Sequence, residues 1–154
     1  MMSARPLHVV ESVFRSLHWR SIRSDEESVV EVAFADSLVS LAAAFVFEDE
    51  HRFVFLLHLA TPAPKDRSAE VLEFIARANH GLVVGNWEMN VDSGEIRFRV
   101  GVDYGDQPFS GDLLVSAIRS AMKTTDIYQE AFQRVLEGRQ GAYEAIETVE
   151  AGRS

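Results

Sequence analysis

The chain has 154 residues, 47% of them apolar and 25% charged, the size and balance of one soluble globular domain that buries a core without staples. It contains no cysteine, which excludes disulfides, thiolate catalysis and cysteine-ligated metals and makes the cytoplasm the expected compartment. A formal charge of −9 opposes nucleic-acid binding, which depends on clustered Lys and Arg neutralising phosphates.

Residues 6–20 carry Leu7, Val10, Val13, Phe14 and Leu17 at helical spacing, with Pro6 suited to a first turn. Met1 to Pro6 has no apolar signal-peptide region. After a polar connector, Ser24 to Glu27, three strands are expected. Val30, Val32 and Phe34 share one face of the first, and Val39, Leu41, Ala43, Phe45 and Phe47 one face of the second. Phe53, Phe55, Leu57 and Leu59 form the strong face of the third. If the strong faces align, Phe34 lies opposite Val39, Val32 opposite Leu41, Phe47 opposite Phe53 and Phe45 opposite Phe55. The apolar run Leu38 to Phe47 is interrupted by Ser40 and too short to span a bilayer, so no membrane partner is expected.

Thr61-Pro62-Ala63-Pro64 ends the sheet, and a helix follows from about Ser68 to His80, closed at Gly81. A second hairpin pairs Val91 with Ile96 and Met89 with Phe98 around Asp92-Ser93-Gly94-Glu95, placing Glu88 opposite Arg99. Leu113 to Met122 and Ile127 to Leu136 read as two helices separated at Thr124-Thr125-Asp126, with Asp126 as a cap. Ala142 to Val149 reads as a short, fraying helix. The expected fold is α+β, a single antiparallel sheet with helices in the order α-β-β-β-α-β-β-α. One domain is expected over 1–154, with a core at about 6–137 and a short C-terminal helix and tail at 138–154.

No residue group reads as a catalytic or metal site. His8, His18, His51, His58 and His80 are scattered without convergent partners. Glu48-Asp49-Glu50-His51 is too short for a calcium loop, and Gly81-Leu82-Val83-Val84-Gly85 leads into a strand and lacks a P-loop Lys. Asp103-Tyr104-Gly105-Asp106 borders Gln107-Pro108 in an exposed turn, where acid–base chemistry lacks a desolvating pocket. Neither a cofactor nor an enzymatic activity is expected.

The second and third strands are apolar on both faces, whereas an antiparallel sheet packed on one side shows polar residues on the other. The weaker face carries Ala42, Ala44, Val46, Val54, Leu56 and His58. Either a C-terminal helix of the same chain covers it, or it is a subunit interface or a groove for a client polypeptide. Those six residues are the candidate partner-binding site.

Residues 75–89, Ile-Ala-Arg-Ala-Asn-His-Gly-Leu-Val-Val-Gly-Asn-Trp-Glu-Met, resemble the helix-to-strand segment of the YbjN-like family, with Asn79, Gly85, Trp87 and Glu88 at its recognisable positions. Asp92, Gly94, Glu95 and residues 97–100 resemble its next hairpin, and Val135 to Gly138, Ala142, Glu144 and Ala145 its C-terminal pattern. A family proline after the aromatic near Tyr128 is absent here. The resemblance implies a type III secretion chaperone-like fold, and a small acidic homodimer that binds a protein client or regulatory partner, in a family described as bacterial sensory-transduction regulators. The functional expectation is a non-enzymatic, homodimeric protein-binding module, chaperone-like or a regulatory adaptor. The alternative is a small-ligand-binding or enzymatic α+β domain with a closed apolar pocket involving His58 or Tyr104.

Overall fold

A computed structural model describes residues 5–152; Met1–Ala4 and Arg153–Ser154, the ends of the expected domain span, lie outside it. Helix α1 (Pro6–Ser16) starts on Pro6 and buries Val10 and Phe14. It stops before the expected residue 20 because His18 turns left-handed at φ 60°. His18 N–H then donates to Arg15 O and Trp19 N–H to Phe14 O, both at 3.0 Å, which is a Schellman closure made without glycine. The closure folds Trp19 back onto Phe14, ring centroids 5.3 Å apart.

Six antiparallel strands follow: β1 (Ile22–Ser24), β2 (Val29–Ala33), β3 (Val39–Phe47), β4 (Arg52–Leu59), β5 (Asn86–Met89) and β6 (Ile96–Asp103). Their spatial order is β1-β2-β3-β4-β6-β5. The fold is the expected α+β sheet-and-helix arrangement, with β1 added between the expected helix end at 20 and the polar connector that begins at Ser24. Arg23 explains the difference: it is held by Glu11 of α1 at 2.7 Å and by Asp25 at 3.2 Å, so a polar segment still pairs with β2.

The register of β3 differs from expectation by one residue on each side. Val32 lies opposite Ala42 and Ala33 opposite Leu41. Phe45 faces Val54, Val46 faces Phe53 and Phe47 faces Arg52. The β3–β4 turn has four residues, Glu48 to His51, with His51 left-handed at φ 55°. At the other end of β3, Val39 faces Leu59 while Leu41 faces His58, so a bulge adds one residue to β3. Because side chains alternate along a strand, this slip reverses which face of β3 meets the core. Val30, Val32, Ala42, Ala44, Val46, Phe53, Phe55 and Leu57 form the inner face with Phe98 and Val100.

Helices α2 (Ser68–His80), α3 (Gly111–Leu136) and α4 (Ala142–Ala151) complete the fold. The expected break at Thr124–Asp126 does not occur. Ser110 caps a continuous 26-residue α3, accepting from Asp112 N–H, and Thr125 is buried mid-helix. The tertiary face of α3 (Leu114, Ala117, Ile118, Ala121, Tyr128, Phe132) outweighs the weak helix propensity of two threonines. Nor does α4 fray: Ala142, Ala145, Ile146 and Val149 are buried against α2 and α3. Glu70 of α2 accepts from Ala142 N–H at 2.6 Å, placing a carboxylate at the positive end of α4. Arg67 donates to the Val135 carbonyl at 2.9 Å and the Gln140 carbonyl at 3.4 Å, tying the α3–α4 turn to α2.

The second hairpin is displaced by two residues from expectation, which preserves its faces: Met89 lies opposite Ile96, Trp87 opposite Phe98, Glu88 opposite Arg97. Its Asn90–Glu95 loop docks on Ala63, whose N–H donates to Gly94 O at 2.8 Å. Gly94 has φ 78°, and a side chain there would collide with the Ala63 carbonyl. The family-like residues meet at the corner between α2 and β5. The Asn79 amide accepts from Trp87 N–H at 2.8 Å and donates to Trp87 O at 2.9 Å, so one side chain satisfies both backbone groups on the open edge of β5. Gly85, at φ 75°, lies where a Cβ would press on the Phe98 ring and the Arg99 carbonyl.

Two expectations follow. Asn79→Ala leaves the Trp87 N–H unpaired and its carbonyl with only the long Asn86 amide contact at 3.4 Å, and lowers stability by about 1–3 kcal/mol in urea unfolding. Glu70→Ala removes the α4 cap, lowering stability by about 1 kcal/mol and raising amide exchange selectively in residues 142–151.

Candidate interaction surface

Side chains on the other face of the sheet follow from the same register. Val29, Phe45, Val54 and Gly101 form one row; Ile22, Glu31, Ala43, Leu56, Arg99 and Asn86 form the next. Ala33, Leu41, His58, Arg97 and Glu88 form a third, and Phe47, Arg52 and Asp103 lie toward the β3–β4 turn. All four helices pack on the inner side: α1 through Val10 and Phe14, the others through the core cluster. Val29, Ala43 and Leu56 are buried yet stand apart from that cluster. A Cβ built on Gly101 meets nothing within 4 Å, so the face is open at that end of the row.

The face divides into two halves. Over β2–β4 it is apolar: Leu41, Phe45 and Val54 are half-buried, and Phe47 is 46% exposed. The Phe45 and Phe47 rings stack at 6.5 Å. Over β5–β6 it is charged but internally paired. Glu88 holds both Arg97 and Arg99, the latter at 3.2 Å, and His58 Nδ1 contacts Glu95. Arg52 meets Asp103 at 3.4 Å at the turn end.

The structure divides the six sequence-selected residues. Val54, Leu56 and His58 lie on this open face; Ala42, Ala44 and Val46 lie under the helices, at 2% exposure or less. The correction is the one-residue slip of β3, which puts Leu41, Ala43, Phe45 and Phe47 outside instead. Two signals in the sequence bear on it. Alanines at 42 and 44 suit close approach of a helix, and Ser40 interrupts the alternation where the bulge falls. The C-terminal helix weighed from sequence as a cover packs on the inner side instead, and no helix of the described residues lies over this face.

The other candidate groups are structural. His51 sits in the turn and its Nδ1–H donates to Gly105 O at 2.6 Å. Asp103 accepts from Gly105 N–H at 2.9 Å and from Arg52, and those bonds hold its carboxyl below the usual range. Burial, with Glu48 nearby, raises the Tyr104 phenol, which packs against Phe53 and Phe109. A firmly ionised acid beside a firmly protonated phenol is not poised for proton transfer at neutral pH. His58 and Tyr104 lie at opposite ends of β4, so no pocket joins them. Among the described residues no three His, Asp or Glu cluster as metal ligands, and no helix is long and apolar enough to cross a membrane.

No curated protein matches the chain. Among solved structures, YbjN from E. coli superimposes with a TM-score of 0.58 at 10% identity, covering 89% of this chain and 95% of that one. The HopA1–SchA chaperone–effector complex gives 0.51 at 12% identity over 80% and 92% of the two chains. The Yersinia pestis type III secretion chaperone SycH, solved with a stable fragment of YscM2, gives 0.51 at 17% over 79% and 98%. These likenesses show a type III secretion chaperone-like fold. The profile of the YbjN family, described as "Putative bacterial sensory transduction regulator", matches residues 6–134, and the chain belongs to that family.

Proposed function

We propose that the protein is a non-enzymatic protein-binding module, chaperone-like or a regulatory adaptor, acting as a homodimer through the apolar half of its open sheet face. The observation that carries this reading is the set of apolar side chains Leu41, Phe45, Phe47 and Val54 on a face that no described helix covers. Contiguous exposed apolar surface of this kind marks an interaction site. A second copy is the occupant argued for because the arginines of the face are answered within the chain. Arg97 and Arg99 are held by Glu88 and Arg52 by Asp103 and Glu50, which leaves the apolar half as the part of the surface where two chains of charge −9 meet with the least repulsion. A two-fold pairing buries the same patch on both subunits. Similar structures that contain a protein partner, a chaperone–effector complex and SycH with its YscM2 fragment, support the client-binding part of the reading.

Phe45→Glu tests it, because Phe45 lies outside the helix-covered core and its loss leaves folding intact. Sedimentation equilibrium is expected to show a wild-type dimer and a variant weakened at least about 100-fold, with unchanged circular dichroism and melting. A monomeric wild type at about 100 μM, far above the Kd of a stable homodimer, overturns the homodimer.

A further inference from the structure

On the helix side, between the end of α1, the β2–β3 turn and the middle of α3, lies a second, smaller feature. It is an open cavity of about 220 Å³ whose apolar lining includes Trp19, Phe34, Val39, Leu57 and Met122. The Trp19 and Phe34 rings meet edge to face at 5.4 Å. The backbone around it is unusual. His18 and Asp36, both left-handed without being glycine, flank Trp19 and the turn, and the β3 bulge adjoins Val39. Such strain persists where surrounding structure holds it, and it clusters at binding sites.

Two polar features belong to the same lining. Thr125 is 2% exposed, and its hydroxyl has no hydrogen-bond partner among the described residues. A helical threonine ordinarily spends that hydroxyl on a carbonyl of the preceding turn. Asp126, exposed at the rim, forms no ion pair among the described residues, and no basic residue lines the cavity. Beside the mouth, Leu38 is 38% exposed and Met122 41%.

We infer that this cavity receives one lysine or arginine side chain of a partner polypeptide. The volume falls below the ~300–1,000 Å³ of pockets that hold free drug-sized ligands, and it matches a single side chain. An aliphatic stem lies along Val39, Leu57 and Met122. The cationic head then meets the Trp19 and Phe34 rings and the Asp126 carboxylate, the charge that the lining leaves unanswered. Leu38 and Met122 extend the apolar surface past the cavity, which favours a peptide segment over a free amine. The site is on the opposite side of the sheet from Phe45, so it is independent of the dimer reading.

The test is an NMR titration of the full chain with acetyl-Leu-Lys-Leu-amide, its arginine analogue and its norleucine analogue. The Trp19 indole N–H and Met122 methyl report the cavity, and the Trp87 indole, buried elsewhere, reports the fold. Saturable shifts at Trp19 and Met122 are expected with the two cationic peptides, weakened about fivefold by Asp126→Asn with Trp87 unmoved. Equal binding of the norleucine peptide, no saturation by about 20 mM, or indifference to Asp126→Asn overturns the proposal. So does n-butylamine binding as tightly as the lysine peptide, which assigns the cavity to a free amine.

Discussion

The helix-covered face of β3, narrowed by Ala42 and Ala44, is the constraint from which the remaining architecture follows: α1 packs on β2 and β3, and α3 on β4 and β6. Helices settle on the smaller face of β3, and the bulky one is turned to solvent. An interior packed at crystal-like density rewards that choice, since Phe14 and Phe55 fill the space above the alanines at 6.3 Å from each other. The cost is an outer face with phenylalanines on it. Which β3 side chains reach the open face is therefore decided by helix packing on the reverse side.

Much of the fold was legible in the sequence. Periodicity located α1, α2, five of the six strands and the two halves of α3, and the doubled apolar character of β3 and β4 pointed to a face needing explanation. Its composition was not legible on β3, because Val39–Leu41 carries a bulge and the β3–β4 turn leaves four residues between Phe47 and Arg52, where the expected pairing of Phe47 with Phe53 leaves five. Parity arguments propagate a one-residue error to a whole strand. The helix end at His18 escaped for a related reason: a Schellman closure normally advertises itself with glycine, and here histidine adopts the left-handed conformation. Thr124-Thr125-Asp126 looked like a break because local propensity was read without the tertiary stripe that overrides it.

The residues that carry the family likeness have structural work at the α2–β5 corner. Asn79 brackets Trp87, Gly85 permits the close approach to Phe98, and Trp87 joins Phe98, Phe132 and Tyr128 in one aromatic cluster. Glu88, on the opposite side of the strand, gathers Arg97 and Arg99. Such a motif identifies a fold more securely than it identifies a partner. Specificity has to come from surfaces beyond that corner.

The Asn79 clasp has a bearing on assembly geometry. By occupying the hydrogen-bonding groups of Trp87, it closes the β5 border to any incoming strand, and the opposite border is a three-residue strand pinned by Arg23. Lateral growth of the sheet into ribbons is thereby discouraged at both ends. The flat faces of the sheet, and not its edges, are left as the places where another surface can lie against it.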